Sequence, residues 1–383
     1  MRNGWTESVL GEFIEVVMGQ APPGGDCNKN GDGIPFVKAG EFTDSFPVIR
    51  EWTTRPLKFA RFGDTLVCVV GATCGKLSKG IDCAIGRSVA ALRPKVGLVP
   101  GYLWFLMQQY ITDLRDGSRG SAQAVITRDN LHSLRVAIPP VREQLRIVDL
   151  VASVDAYIAG LEKQVEAVRT ARNAVLHQLL TADGKDWTNT TLGECCLVVS
   201  SRQSPASLPI QTRYVGLEHV DSKSIRVTRF GEVSEVSSQV TPFAPGDTLF
   251  GRLRPYLNKV SKADFHGVCS PEILVLRAKG DCLNDFLYLL ASSEFTVSKC
   301  VEMSAGTRMP RTSSNDLCSI TCLLPPKNEQ QRIVEIVSSI DEEVLAGERV
   351  LPTAKRLRDG LLSDLLSGEH QIPASYDRFL GAA

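Results

Sequence analysis

The chain has no long apolar run. No stretch approaches the roughly 18 consecutive apolar residues of a membrane-spanning helix, and Met1-Arg2-Asn3-Gly4-Trp5 is not followed by the apolar core of a secretion signal. A cytoplasmic protein without membrane contact is expected. Excess charge is missing too: 43 basic side chains balance 43 acidic ones, so any basic surface must be local rather than global. Histidine is scarce, with five in 383 residues, and the 11 cysteines form no Cys-x-x-Cys pair. Cys318-x-x-x-Cys322 and the dispersed histidines do not close a zinc site, and the odd cysteine count inside apolar runs reads as reduced core thiols. The length itself exceeds one ordinary core and suits two middle-sized domains.

An internal repeat supplies the plan. Trp5-Thr-x-x-x-Leu10-Gly11-Glu12 returns as Trp187-Thr-x-x-x-Leu192-Gly193-Glu194, and Gly63-Asp64-Thr65-Leu66 returns as Gly246-Asp247-Thr248-Leu249. Pro139-Pro140-x-x-Glu143-Gln144-x-Arg146-Ile147-Val148 returns as Pro325-Pro326-x-x-Glu329-Gln330-x-Arg332-Ile333-Val334. The ends of the repeat are shared and the middles differ. Each copy opens with strand-like stretches between Gly and Pro, such as 34–37, 65–70 and 88–92, then 213–217, 225–228, 248–250 and 272–276. Each then shows one segment of helical period, 101–115 and 286–299. Both domains are expected to be α+β, and each ends at its double proline, where a helix can begin.

Beyond the prolines lies a heptad seam: Ile147, Val151, Val154, Ile158, Leu161, Val165, Val168, Arg172, Val175 and Leu179. Ile333, Val337, Ile340, Val344, Gly347, Leu351, Ala354, Arg358, Leu361 and Leu365 take the corresponding places. That spacing predicts coiled-coil helices, the first about 50 Å long at 1.5 Å per residue. Its stripe needs another helix, and an antiparallel pairing with the other copy suits a local two-fold repeat; packing of each helix on its own domain is the alternative. Pro352 inside the second seam predicts a kink or break. Arg172 and Arg358 are expected either to reach solvent or to meet Glu335 and Asp149, so that reversing the charges of Arg172 and Glu335 together should restore what either change alone weakens.

These motifs, with the helix ends Leu176–Leu180 and Leu362–Gly368, resemble the specificity subunit of a type I restriction-modification system over nearly the full chain. The resemblance implies an α+β chain of two similar target-recognition domains, residues 1–140 and 187–326. Two long antiparallel coiled-coil helices, 141–182 and 327–368, separate them in a pseudo-two-fold internal repeat, and a tail covers 369–383. It implies a non-catalytic subunit that reads an asymmetric bipartite sequence in double-stranded DNA through two domains at fixed spacing. Two methylation subunits and restriction subunits are the implied partners. This chain would bind no cofactor; S-adenosylmethionine, ATP and Mg would sit on the partners. Glu143, Gln144 and Arg146, with Glu329, Gln330 and Arg332, would present two equivalent docking surfaces.

For DNA contact the signal is basic density beside glycines, where phosphates attract cations and the backbone can approach closely. The second domain offers Arg252, Arg254, Tyr256, Asn258 and Lys259, then Arg308 and Arg311; the first offers Lys76, Lys79 and Arg87, then Arg119, Gln123 and Arg128. Arginine and asparagine suit bidentate reading of guanine and adenine. A self-contained enzyme is disfavoured. Gly71-Ala-Thr-Cys-Gly75-Lys76 is one residue short of a phosphate loop and Leu77 replaces its Ser/Thr, so it reads as a glycine-rich turn. Neither double proline has the asparagine or aromatic of an amino-methyltransferase motif, and no metal site or nucleophile-base pair stands out. The remaining reading is an adaptor that holds proteins alone, distinguishable by salt-insensitive binding.

Overall fold

A computed structural model describes residues 4–117, 124–182, 184, 186–304 and 309–380. The chain divides into two compact units, residues 1–159 with 353–383, and residues 160–352. Both are α+β, and both are built alike.

In the first unit a four-stranded antiparallel sheet runs in the order Ile14–Met18, Val89–Pro94, Thr65–Cys68, Leu77–Lys79. In the second the same order is Cys196–Val198, Ile273–Ala278, Thr248–Gly251, Val260–Lys262. A second, mixed sheet, of five strands in the first unit and four in the second, has one parallel pairing in each, Phe36 to Ala84 and Tyr214 to Val268. The expected strand at 225–228 is only a single bridge, Arg226 to Lys262. A ribbon closes each domain, Thr6–Val9 on Arg135–Ile138 and Thr188–Thr191 on Thr321–Leu324.

The repeated motifs are fold determinants. Asp64 accepts from the backbone of Arg61 at 2.8 Å and holds the guanidinium of Arg93 at 3.0 Å. Asp247 does the same for Ala244 at 2.8 Å and Arg277 at 2.7 Å. Leu10 and Leu192 are core residues. Each is followed by a glycine in a tight place: a Cβ on Gly11 would clash at 2.4 Å from His132, and one on Gly193 would press at 3.0 Å on Cys318.

The apolar segment after the main sheet forms one helix in the first unit, Pro100–Gly117, but two in the second, Asn284–Ser292 and Glu294–Met303. Ser293 makes the break. It adopts an extended backbone, accepts from Thr296 N and donates to Leu290 O, so one side chain ends the first helix and caps the next.

The heptad stretches are helices Val141–Leu180 and Lys327–Ser367, called central and distal here. In the first unit Ile147 and Val151 share a core with Leu362, Leu365 and Leu366. In the second, Leu176 shares one with Ile333, Val337 and Val344, and the distal helix approaches so closely at Gly347 that a Cβ there would lie 2.3 Å from Val165. Arg169 pairs with Glu348 and Arg172 with Asp341, so the two segments run antiparallel. In the first unit Arg358 pairs with Asp155, donating from Nε at 2.7 Å, and with Gln108 at 3.1 Å. The repeat makes Arg358 the counterpart of Arg172 and Asp155 that of Asp341.

Two expectations are corrected here. The partners of Arg172 and Arg358 are not Glu335 and Asp149: Glu335 accepts from Gln331 on its own helix, and Asp149 accepts from Tyr376. The close approach at Gly347 sets a register in which Asp341, not Glu335, faces Arg172. Of the kink or break expected at Pro352, the break does not occur: the distal helix is continuous through it. Pro352 is exposed, where water can serve the backbone carbonyl that loses its N–H partner.

Beyond the distal helix the tail folds back within the first unit. Ile372 is buried, Tyr376 donates to Asp149 at 2.9 Å, and Arg146 grips Asp377 at 2.6 and 3.0 Å. The hydrogen bond from Arg146 holds the Asp377 carboxyl below its ordinary range. The contribution of this pair to tail docking is therefore fully present above the ordinary carboxylate pKa and is lost as pH falls through the depressed folded value. Asp377→Asn should loosen the tail at neutral pH, read as faster tryptic cleavage after Arg378 with the rest of the chain unchanged.

Candidate nucleic-acid interface

The hairpin turn of the main sheet carries one candidate cation, Lys76, in the first unit and three, Arg252, Arg254 and Lys259, in the second. Lys76 N donates to Thr73 O in the first turn and Lys259 lies at the end of the second, where Gly251 N donates to Lys259 O at 2.8 Å. A single bridge ties each turn to a later segment, Val70 to Val125 and Leu253 to Arg311. Gly71–Lys76 is thus a hairpin turn, not a phosphate loop.

Several candidate cations are occupied inside the fold. Lys76 donates to Phe42 O at 2.7 Å and Lys259 to Leu217 O at 2.6 Å. Asn258 donates to Ser292 O at 2.9 Å, and Arg252 to Thr312 O at 3.2 Å. Arg311 pairs with Glu272 at 2.8 Å. Lys79 is away from the turn: it lies opposite Thr65 at the base of the hairpin, with its ammonium 5.6 Å from the Trp104 ring and 5.8 Å from Phe46. Arg87, Arg128 and Arg254 are exposed, and Tyr256 is 55% exposed. Arg119, Gln123 and Arg308 lie outside the described residues.

The second unit concentrates positive charge. Burial pushes the Arg252 guanidinium below its ordinary value, and Arg311 and Arg202 add repulsion against one opposing carboxylate, Glu272. Arg202 escapes sequence inspection because it stands alone; the bridge from Gln203 to Val240 fixes its strand beside the later segments. Three arginines around one glutamate leave a net positive face suited to phosphate.

The residues expected to dock partners divide. Gln144 and Gln330 are both 0% exposed. Gln144 accepts from Val99 N at 2.7 Å and donates to Gly97 O and Pro139 O, each at 2.9 Å. Gln330 accepts from Leu283 N and donates to Asp281 O, each at 2.9 Å, and donates to Pro325 O at 2.8 Å. Their docking role is corrected: every polar atom of these amides is spent on clamping the long helix to its domain. Arg146 is held by the tail, while exposed Arg332 pairs among the described residues with Glu329 alone, at 3.8 Å. The two copies of this segment are therefore not equivalent.

All eleven cysteines are free thiols. Among the described residues no group of three or more His, Cys, Asp or Glu could hold a metal ion, and no helix is long and apolar enough to cross a membrane.

Residues 2–168 and 252–350 match the family described as the type I restriction modification DNA specificity domain. The chain is 28% identical over 181 residues to the putative type I restriction enzyme MjaX specificity subunit of Methanocaldococcus jannaschii, covering 46% of this chain and 43% of that relative. It is 23% identical over 377 residues to the type I restriction enzyme EcoDI specificity subunit of Escherichia coli, covering 88% of this chain and 81% of that one. Its fold is similar to the crystal structure of the type I restriction-modification S subunit from M. genitalium, with a TM-score of 0.55 at 16% identity, covering 96% of this chain and 97% of the other. A doubled α+β chain, matched to this family over more than half its length, belongs to the type I restriction-modification specificity subunits, the DNA-recognising and non-catalytic components of their complexes.

Proposed function

We propose that the chain reads an asymmetric two-part sequence in double-stranded DNA, one half-site through the hairpin-turn face of each unit, with a gap of constant length between them. One observation carries this reading: the same turn is built twice with different side chains. Residues 71–75 are Gly, Ala, Thr, Cys and Gly, where residues 254–258 are Arg, Pro, Tyr, Leu and Asn. A shared backbone bearing unlike side chains suits two different half-sites. The long helices would dock two methylation subunits, with restriction subunits joining the same complex, and Glu143, Arg146, Glu329 and Arg332 are the docking side chains proposed. S-adenosylmethionine, ATP and Mg would be held by those partners.

Co-expression with the methylation subunit encoded beside it, followed by mapping of modified adenines, tests this reading. A single recurring two-part motif with a fixed gap, lost when this chain is omitted, is expected. Modification independent of this chain would refute it. Duplex binding by the complex should also weaken steeply with salt, as counterion release requires; salt-insensitive association with proteins alone would favour an adaptor.

A further inference from the structure

Among the described residues only three that are not glycine have a left-handed backbone: Lys223, Arg254 and Asn258, with φ of 60°, 51° and 46°. Two of them bracket the hairpin turn of the second unit. The repeat aligns Gly63 with Gly246, which sets Arg254 opposite Gly71 and Asn258 opposite Gly75, and those glycines have φ of 88° and 87°. The turns share two of their hydrogen bonds and differ at the far end, where Gly75 N donates to Cys68 O but Asn258 N donates to Pro255 O. Cys74 N donates to Gly71 O as Leu257 N donates to Arg254 O, and Cys68 N donates to Lys76 O as Gly251 N donates to Lys259 O. A positive φ at these two positions is thus met with glycine in one copy and with arginine and asparagine in the other.

Asparagine tolerates this conformation better than most residues, and Asn258 repays it with its bond to Ser292 O. Arg254 has no such account. Its side chain is exposed and makes no hydrogen bond or ion pair among the described residues, while its backbone N–H is pinned to Pro310 O at 2.9 Å. A strained residue with an unspent side chain, at a position where glycine fits, points to a use outside the folded chain. Its neighbours Arg252 and Arg311 already supply charge but are tied to Thr312 O and Glu272. A phosphate could be reached from many unstrained roots. A fork that must meet guanine O6 and N7 together needs a fixed one.

Resting on the DNA-reading role proposed above, the geometry points to Arg254 as the residue by which the second unit reads a guanine in its half-site. The test uses the complex of the full chain with its methylation subunit, comparing wild type, Arg254→Gly and Arg254→Lys by mapping modified adenines and by thermal melting. Arg254→Gly should melt no lower than wild type, keep the half-site of the first unit, and make one guanine position of the other half-site degenerate. Affinity for the cognate duplex should fall about 10- to 100-fold, the discrimination of one bidentate pair. Arg254→Lys, which keeps the charge and the backbone but not the fork, should show the same degeneracy. An unchanged motif overturns the assignment, as does a uniform fall in methylation with every position retained, which would make Arg254 a phosphate contact. A lowered melting temperature for Arg254→Gly would make the residue structural and overturn it equally. Absence of any two-part motif with the wild-type chain would instead refute the DNA-reading role itself.

Discussion

Asp341→Ala should destabilise the second unit by about 3–5 kcal/mol, the cost of leaving a buried charge without its partner. Arg172 is 7% exposed and Asp341 4%, and the guanidinium also sits 6.0 Å from the centre of the Tyr288 ring. Truncating the aspartate leaves a largely buried guanidinium without its carboxylate. Replacing both, as Arg172→Met with Asp341→Leu, should recover most of the loss, because no charge is then left to desolvate. The counterpart pair provides the control. The Asp155 side chain is 42% exposed beside Arg358, so Asp155→Ala should cost at most about 1 kcal/mol, as exposed pairs do. Hydrogen exchange of peptides from 160–352 and from the first unit would separate the two effects. Equal losses at both sites would show that burial does not set the size of the interaction.

Gln330→Ala should be as damaging, at about 3–5 kcal/mol, since unmade buried hydrogen bonds cost about 1–3 kcal/mol each. The amide serves Leu283 N, Asp281 O and Pro325 O at once. Gln330→Glu preserves the shape but turns two donors into an acceptor facing two carbonyls. Its carboxyl should hold its proton to a higher pH when folded than when unfolded. Stability of that variant should therefore be greater in acid and fall as pH rises through the folded value, the reverse of an ordinary paired carboxylate. Urea unfolding at pH 5 and pH 8 would show it; a variant as stable as the parent at both would remove the clamp.

What was legible in the sequence was whatever spacing encodes. The repeat, the α+β character and the long helices follow from period and recurrence, as the matching sheet orders bear out. Register was not legible, because it turns on the absence of a side chain at Gly347 and on which of several acidic residues then faces Arg172. Gln144 and Gln330 stood out as a motif but were misread, since recurrence identifies a constrained position without saying whether water or a backbone constrains it. The split at Ser293 was hidden by an apolar pattern that continues across it. In the candidate interface the turns are legible, whereas the occupancy of their cations is not: Phe42 O and Leu217 O lie 34 and 42 residues away from the lysines they hold. The strain at Arg254 has a faint sequence trace, the glycine of the other copy.

The interleaving of the helices bears on how the chain is made. Residues 160–352 are contiguous, but the first unit includes residues 353–383, and its core lacks Leu362, Leu365 and Leu366 until they are synthesised. The amino-terminal domain, first to leave the ribosome, is thus the last to be completed, and it waits with Ile147 and Val151 uncovered while an entire second domain is produced and folds. Long-range closure of this kind is slow because chain entropy is lost before the contacts form. A nascent chain stalled before the end of the distal helix carries one finished unit and one unfinished one.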